Sequence, residues 1–177
     1  MQTHKPPSVV DRRLIARMIR IARLTPVDGS IAEVGVYRGG TAYYLSALAR
    51  LRAVKLFLYD TFTGIPHSDT IDHHKVGDFS DTNELAVRHA VPYACYRVGV
   101  FPLTFTEFHQ QFSFVHVDCD QYQSVTDCIL MFTPLMLRGG VMWFDDYGVL
   151  AGATRAVHMQ FHEARLNYVY GRAFVRF

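Results

Sequence analysis

The feature that most constrains this chain is a repeated unit: a short, almost wholly apolar run, then a helix-forming segment. Ser30 to Val36, Val54 to Tyr59, Phe112 to Val117 and Val141 to Phe144 are such runs, and Asp60, Asp118 and Asp145-Asp146 close the last three. Continuous apolar runs, rather than alternating ones, predict strands buried on both faces, as in a parallel sheet. The intervening periodicity predicts helices over Val9–Leu24, Thr41–Leu51, Glu84–Ala90, Pro102–His109, Ser124–Leu137 and Ala153–Arg165. Ala94 to Val98 reads as a further strand, Arg138-Gly139-Gly140 as a helix stop, and Tyr168 to Phe177 as a hairpin divided by Gly171. The fold class is therefore α/β: a mostly parallel, Rossmann-like sheet with helices on both faces. In such sheets ligands bind outside the carboxyl ends of the strands, where the acidic residues stand here.

A length of 177 residues suits one domain, read as residues 1–177 with an N-terminal helix and linker over 1–29. Half of the residues are apolar and the net charge is +2, too mild a balance to indicate nucleic acid. Arg13, Arg17 and Arg20 share a face of the first helix, which reads as a solvated surface. Cys95, Cys119 and Cys128 form no CxxC pair, so neither a disulfide framework nor a zinc site is expected. Met1 to Pro7 is polar and no run reaches the roughly 18 apolar residues of a membrane span, so a cytoplasmic protein with no membrane partner is expected. A homodimer is the base-rate expectation.

Glu33-Val-Gly35-Val-Tyr37-Arg-Gly39-Gly40-Thr41 lies between the first strand and its helix. Glycines there allow a tight turn and close approach to a ligand, and the helix start offers free N–H groups. A pyrophosphate fingerprint would read G-x-G-x-x-G; the spacing here is E-x-G-x-x-x-G-G, which disfavours a dinucleotide. An acid two residues before the first glycine suits a cofactor with a cationic amino acid group. Asp60, at the end of the second strand, is placed for a ribose diol. These residues point to S-adenosylmethionine.

Asp118, Asp145 and Asp146 close neighbouring strands, and neither strand-end segment, Asp118–Tyr122 or Asp145–Gly148, contains a Lys or Arg. Such a cluster repels itself unless offset, and a hard divalent cation such as Mg²⁺ is the natural partner. Asp120 is expected to cap the helix that follows. The polar segment 61–82 is long for a connection and reads as a lid or active-site loop. His73 and His74, within it, are candidate bases beside Asp118, whereas His116 reads as a hydrogen-bonded core histidine. Trp143 and Tyr43-Tyr44 read as packing residues, and Cys119 as buried and inert.

With these residues in view, the chain resembles the macrocin O-methyltransferase family, whose members methylate sugar hydroxyls on antibiotics. The resemblance is carried by EVGVYRGGT, LYDTFTGIP, HHKVGDFSDT, VGVFPLTF, HVDCDQYQSVTD, LRGGVMWFDDYG and GATRAV, in order along the chain. It implies a class I methyltransferase fold with a seven-stranded sheet and an antiparallel last strand, with S-adenosylmethionine as donor. It further implies Mg²⁺ at Asp118, Asp145 and Asp146, and a cofactor site lined by Glu33, Gly35, Tyr37, Gly39, Gly40, Thr41 and Asp60, with Asp78 and Asp118 adjoining. Members usually carry a longer N-terminal extension that contributes to the lid and the oligomer; here one predicted helix precedes Glu33. The expected activity is methyl transfer to a hydroxyl of a small-molecule acceptor, a sugar or other vicinal diol. The alternatives are a non-catalytic cofactor-binding domain and an NAD-dependent oxidoreductase on the same sheet.

Overall fold

The computed structural model describes residues 6–177; the expectation for residues 1–5 lies outside them. Seven strands form one sheet: β1 (Ser30–Val34), β2 (Leu56–Asp60), β3 (Cys95–Val98), β4 (Phe112–Val117), β5 (Met136–Phe144), β6 (Leu166–Val169) and β7 (Arg172–Arg176). Their order is β3-β2-β1-β4-β5-β7-β6, and β7 alone runs antiparallel to the other six. The antiparallel last strand and the hairpin about Gly171 are thus as expected. Five helices cover the sheet: α1 (Arg12–Ala22), α2 (Gly40–Arg52), α3 (Glu84–Ala90), α4 (Tyr122–Phe132) and α5 (Ala151–Gln160). α1, α2 and α3 bury Leu14, Met18, Leu45 and Val87 against one face; α4 and α5 bury Val125, Phe132, Ala153 and Val157 against the other. Among the described residues no helix is long and apolar enough to cross a membrane.

Four expectations about elements are corrected. The helix expected over Ser124–Leu137 ends at Phe132, where Pro134 lies in a tight single turn and cannot supply a helical N–H. Arg138-Gly139-Gly140 consequently lies inside β5 and does not stop a helix. Gly139, at φ 85°, takes up the register shift that pairs Phe112 with Met136 but Phe114 with Val141. The last helix ends at Gln160 rather than Arg165. Pro102 to His109 forms turns instead of a helix, because its polar groups have non-local partners. The buried Glu107 carboxylate there accepts hydrogen bonds from Tyr59 Oη (2.6 Å), Arg97 Nε (2.8 Å) and its neighbour's Thr106 N (3.0 Å). Burial works against its ionisation, but these donors outweigh it and hold the carboxyl below its ordinary value.

Candidate functional site

The carboxyl ends of β1, β2, β4 and β5 open into a cavity of about 560 Å³. The glycine turn after β1 forms one wall. Gly35 has φ 89°, and a Cβ there would lie 1.8 Å from the Asp118 carbonyl oxygen, so only glycine lets the turn reach the end of β4. Tyr37 is also left-handed, at φ 50°. The turn is held by Asp60: Oδ2 accepts from Val36 N (2.6 Å) and Tyr37 N (2.8 Å), and Oδ1 from Phe62 N (2.7 Å). Asp60 therefore clamps the backbone that follows β1 and β2 as well as lining the cavity. Gly35, Tyr37, Asp60 and Asp118 all line the cavity. Gly39 faces Val87 of α3, Gly40 packs on Pro7 and Ser8, and Thr41 is buried at the start of α2. Glu33 is fully buried behind the turn, with Oε1 2.9 Å from His116 Nδ1.

The adjoining wall is acidic. Ligand oxygens of Asp118, Asp145 and Asp146 all lie within 4.8 Å of one another. Burial, then the charge of Asp145, pushes the Asp118 carboxyl well above its ordinary value. Burial and neighbouring carboxylates likewise push Asp120 and Asp146 up to about 7 each. Asp145 is instead held down: burial opposes ionisation, but His116, Arg172 and the Trp143 indole N–H favour it. Arg172 corrects the expectation that no cation intervenes. It enters from β7, and its Nε lies 3.7 Å from Asp145 Oδ2. The register pairing Phe144 with Ala173 puts Arg172 opposite Asp145, a relation visible only once the hairpin folds back. One arginine still faces four aspartates. Three hard oxygen donors at this spacing, two of them on residues 118 and 146 whose ionisation is suppressed, suit a divalent cation.

Segment 61–82 crosses the cavity between these walls and is fastened to both. On the turn side, Tyr37 Oη donates to Asp81 Oδ1 (2.7 Å), and Arg38 Nε donates to Asp81 O (3.2 Å). On the acidic side, Asp72 Oδ1 accepts from Tyr122 N (2.8 Å) at the start of α4. That corrects the capping role expected for Asp120, which turns into the acidic cluster at φ 63°. Gly152 of α5 makes room for Asp72, since a Cβ there would lie 2.1 Å from its Oδ1. His74 lines the cavity, 3.8 Å from Asp120 Oδ1 and 3.7 Å from Asp78 Oδ2, and its ring meets Phe79 edge-on. His73 is exposed and touches the His74 ring; Asp78 is exposed and lies outside the cavity wall.

His116 is fully buried, as a core histidine should be, and Trp143 stacks on Phe174. Cys119 is only partly buried and stands on the cavity wall, its Sγ 3.9 Å from Cys128 Sγ. That contact, followed by burial, raises its thiol well above the ordinary value, which disfavours the thiolate. The sequence reading missed Arg172, Asp72 and Asp81, whose partners lie 27 to 50 residues away along the chain. It also missed the apolar part of the cavity lining, to which Val9, Val10, Leu14, Val149 and Leu150 contribute.

Comparison with known proteins bears on the whole arrangement. A curated relative from Streptomyces olivaceus, 8-demethyl-8-(2,3-dimethoxy-alpha-L-rhamnosyl)-tetracenomycin-C 4'-O-methyltransferase, is 26% identical over 152 residues, covering 75% of this chain. The chain spans 58% of that relative's length. Among solved structures, the O-methyltransferase NovP superposes with a TM-score of 0.75 at 21% identity, over 90% of this chain and 78% of its own. The calicheamicin methyltransferase CalS11 gives 0.73 at 18% identity, over 94% of this chain and 80% of its own. The fold is thus the Rossmann-like fold of class I O-methyltransferases. The macrocin-O-methyltransferase (TylF) family matches residues 11–168, and the chain belongs to that family.

Proposed function

We propose that the chain is one methyltransferase domain that transfers a methyl group from S-adenosylmethionine to a hydroxyl of a small sugar or other vicinal diol, assisted by Mg²⁺. The observation that carries this reading is the meeting of a glycine turn and a carboxylate trio across one cavity. The glycine turn, with Tyr37, Asp60 and the start of α2, holds the donor. Asp118, Asp145 and Asp146 hold the cation, and segment 61–82 is the lid. The sulfonium supplies an electrophilic methyl group, and the cation, when bound, lowers the pKa of an adjacent hydroxyl. Asp118 takes the acceptor's proton, since it stands on the cavity wall beside the place where the cation would hold the hydroxyl. His74 is the second candidate base, on the cavity wall; the exposed His73 belongs to the outer face of the lid. The remaining work is orientation and exclusion of water, which the double fastening of the lid supports. The family and the rhamnosyl compound named for the curated relative favour a sugar acceptor.

Calorimetry of the full chain with S-adenosylmethionine, with and without Mg²⁺, tests the donor. Conversion to S-adenosylhomocysteine with a panel of glycosylated and catechol acceptors tests the reaction. Absence of cofactor binding overturns the reading. Methyl transfer unaffected by both Asp145→Ala and a chelator removes the cation from it.

A further inference from the structure

Glu33 and His116 are register partners on β1 and β4, on the face covered by α1 and α2. They are 1% and 0% exposed. Withdrawing a carboxylate and an imidazole from water is costly, and apolar residues of similar volume would hold the strands at least as well. The ring's connections show what the pair accomplishes instead. Nδ1 lies 2.9 Å from Glu33 Oε1 and donates to it when Glu33 is the carboxylate. Nε2, at the far side of the ring, has no hydrogen-bond partner and lies 3.6 Å from Asp145 Oδ1. The same oxygen accepts from Trp143 Nε1 at 3.3 Å. Asp145 Oδ2 faces Arg172, which lines the cavity.

We propose that Glu33 and His116 are positioning residues for the acidic wall. Glu33 orients the imidazole, and the Trp143 indole hydrogen bond, with the imidazole Nε2 packed 3.6 Å away, holds Oδ1 of Asp145 so that Oδ2 is the oxygen on the side of Arg172 and the cavity. The assignment rests on the divalent-cation reading given above. It moves Glu33 from the donor half of the site, where the sequence placed it, to support of the opposite half. A carboxylate two residues before the glycine turn thereby sets the geometry of a residue 112 positions later, through one imidazole.

Two histidine replacements separate positioning from mere packing. His116→Gln keeps a donor near the Nε2 position, and His116→Asn keeps one near Nδ1. With Mn²⁺ as an electron paramagnetic resonance probe, His116→Asn is expected to weaken binding about 10- to 100-fold, the range for groups that orient metal ligands. His116→Gln stays near wild type. Glu33→Gln weakens Mn²⁺ binding while S-adenosylhomocysteine affinity, measured by calorimetry, stays unchanged. In an Asp145→Asn background His116→Asn adds no further loss, because the two act in one chain. The single tryptophan gives a readout free of metal. The Trp143 indole N–H resonance shifts in His116→Asn and not in His116→Gln. Equal effects of the two replacements, or additive losses with Asp145→Asn, overturn the proposal. So does a loss of S-adenosylhomocysteine binding in Glu33→Gln. A wild-type chain that binds no Mn²⁺ defeats the cation reading instead, and the indole resonance then decides the positioning of Asp145 by itself. Should His116→Asn fail to fold, Glu33→Gln carries the same Mn²⁺ and indole measurements.

Discussion

Asp60 and Asp146 both stand at the carboxyl ends of parallel strands, yet their surroundings are opposite. Asp60 receives three backbone N–H groups and is consumed in holding a turn. Asp146 accepts only Asp120 N, at 3.1 Å, and otherwise faces carboxylates that push it up to about 7. Residue type and position in the fold are the same; the supply of donors differs. A strand-end acid whose oxygens are spent on backbone is scaffold first. One that meets mainly its own kind is in a state that a ligand relieves.

The sharpest way to break this contrast is at the acidic wall. Asp118→Ala is expected to lower methyl transfer by about 10²- to 10⁴-fold, the range for loss of a general base, with S-adenosylhomocysteine binding retained. Single-turnover kinetics with an acceptor found in the panel check it, and a loss below tenfold removes Asp118 as the base. Gly35→Ala, which joins the two walls, should lower the melting temperature by about 5–10 °C, because its Cβ would collide with the Asp118 carbonyl. Asp60→Asn puts an amide N–H against backbone donors on one side of the clamp. It should cost about 1–3 kcal/mol in denaturant unfolding.

The two kinds of carboxylate also predict opposite responses to pH. Glu107, like Asp60, is well supplied with donors, and its carboxyl is held below the ordinary 4.5. The folded state then releases the proton more readily than the unfolded one. Its stabilisation is present above that ordinary value and is lost as pH falls through the folded value. Glu107→Gln should remove this part of the acid sensitivity in unfolding titrations. Asp120 and Asp146, at about 7, bind protons more tightly when folded. Without divalent ions their contribution should grow as pH falls from about 7 toward 4, and Mg²⁺ should flatten that slope. A metal-free protein with no such slope would remove the contrast. At the small end, Arg17→Ala on the exposed face of α1 should change stability by no more than about 0.5 kcal/mol, its contact with Tyr170 being at the surface.

The division between legible and illegible follows the range of the interactions. Apolar runs announced β1, β2 and β4, and with the last two the carboxylates that close them, because burial on both faces is written locally in each run. The glycine turn was legible for the same reason. Arg138-Gly139-Gly140 misled because glycines signal a chain that must bend, and a strand with a register shift has that need as much as a helix end. Pro102 to His109 misled because Glu107 is satisfied by Tyr59 and Arg97 from other strands. Arg172 and Asp72 had no local signature: one depends on an antiparallel register, the other on a space left by Gly152.

The contact between Gly35 and the Asp118 carbonyl has a consequence for how such a site can change. The two walls share a partition with no spare atom in it, since even a methyl group at residue 35 would occupy the space of the Asp118 backbone. A substitution that shifts one wall is therefore transmitted to the other as a displacement rather than absorbed. Under the proposed function, redesign for a bulkier acceptor is better aimed at apolar lining side chains such as Val9, Val10, Val149 and Leu150 than at this partition. Diversification of this architecture is confined by that partition to its rim.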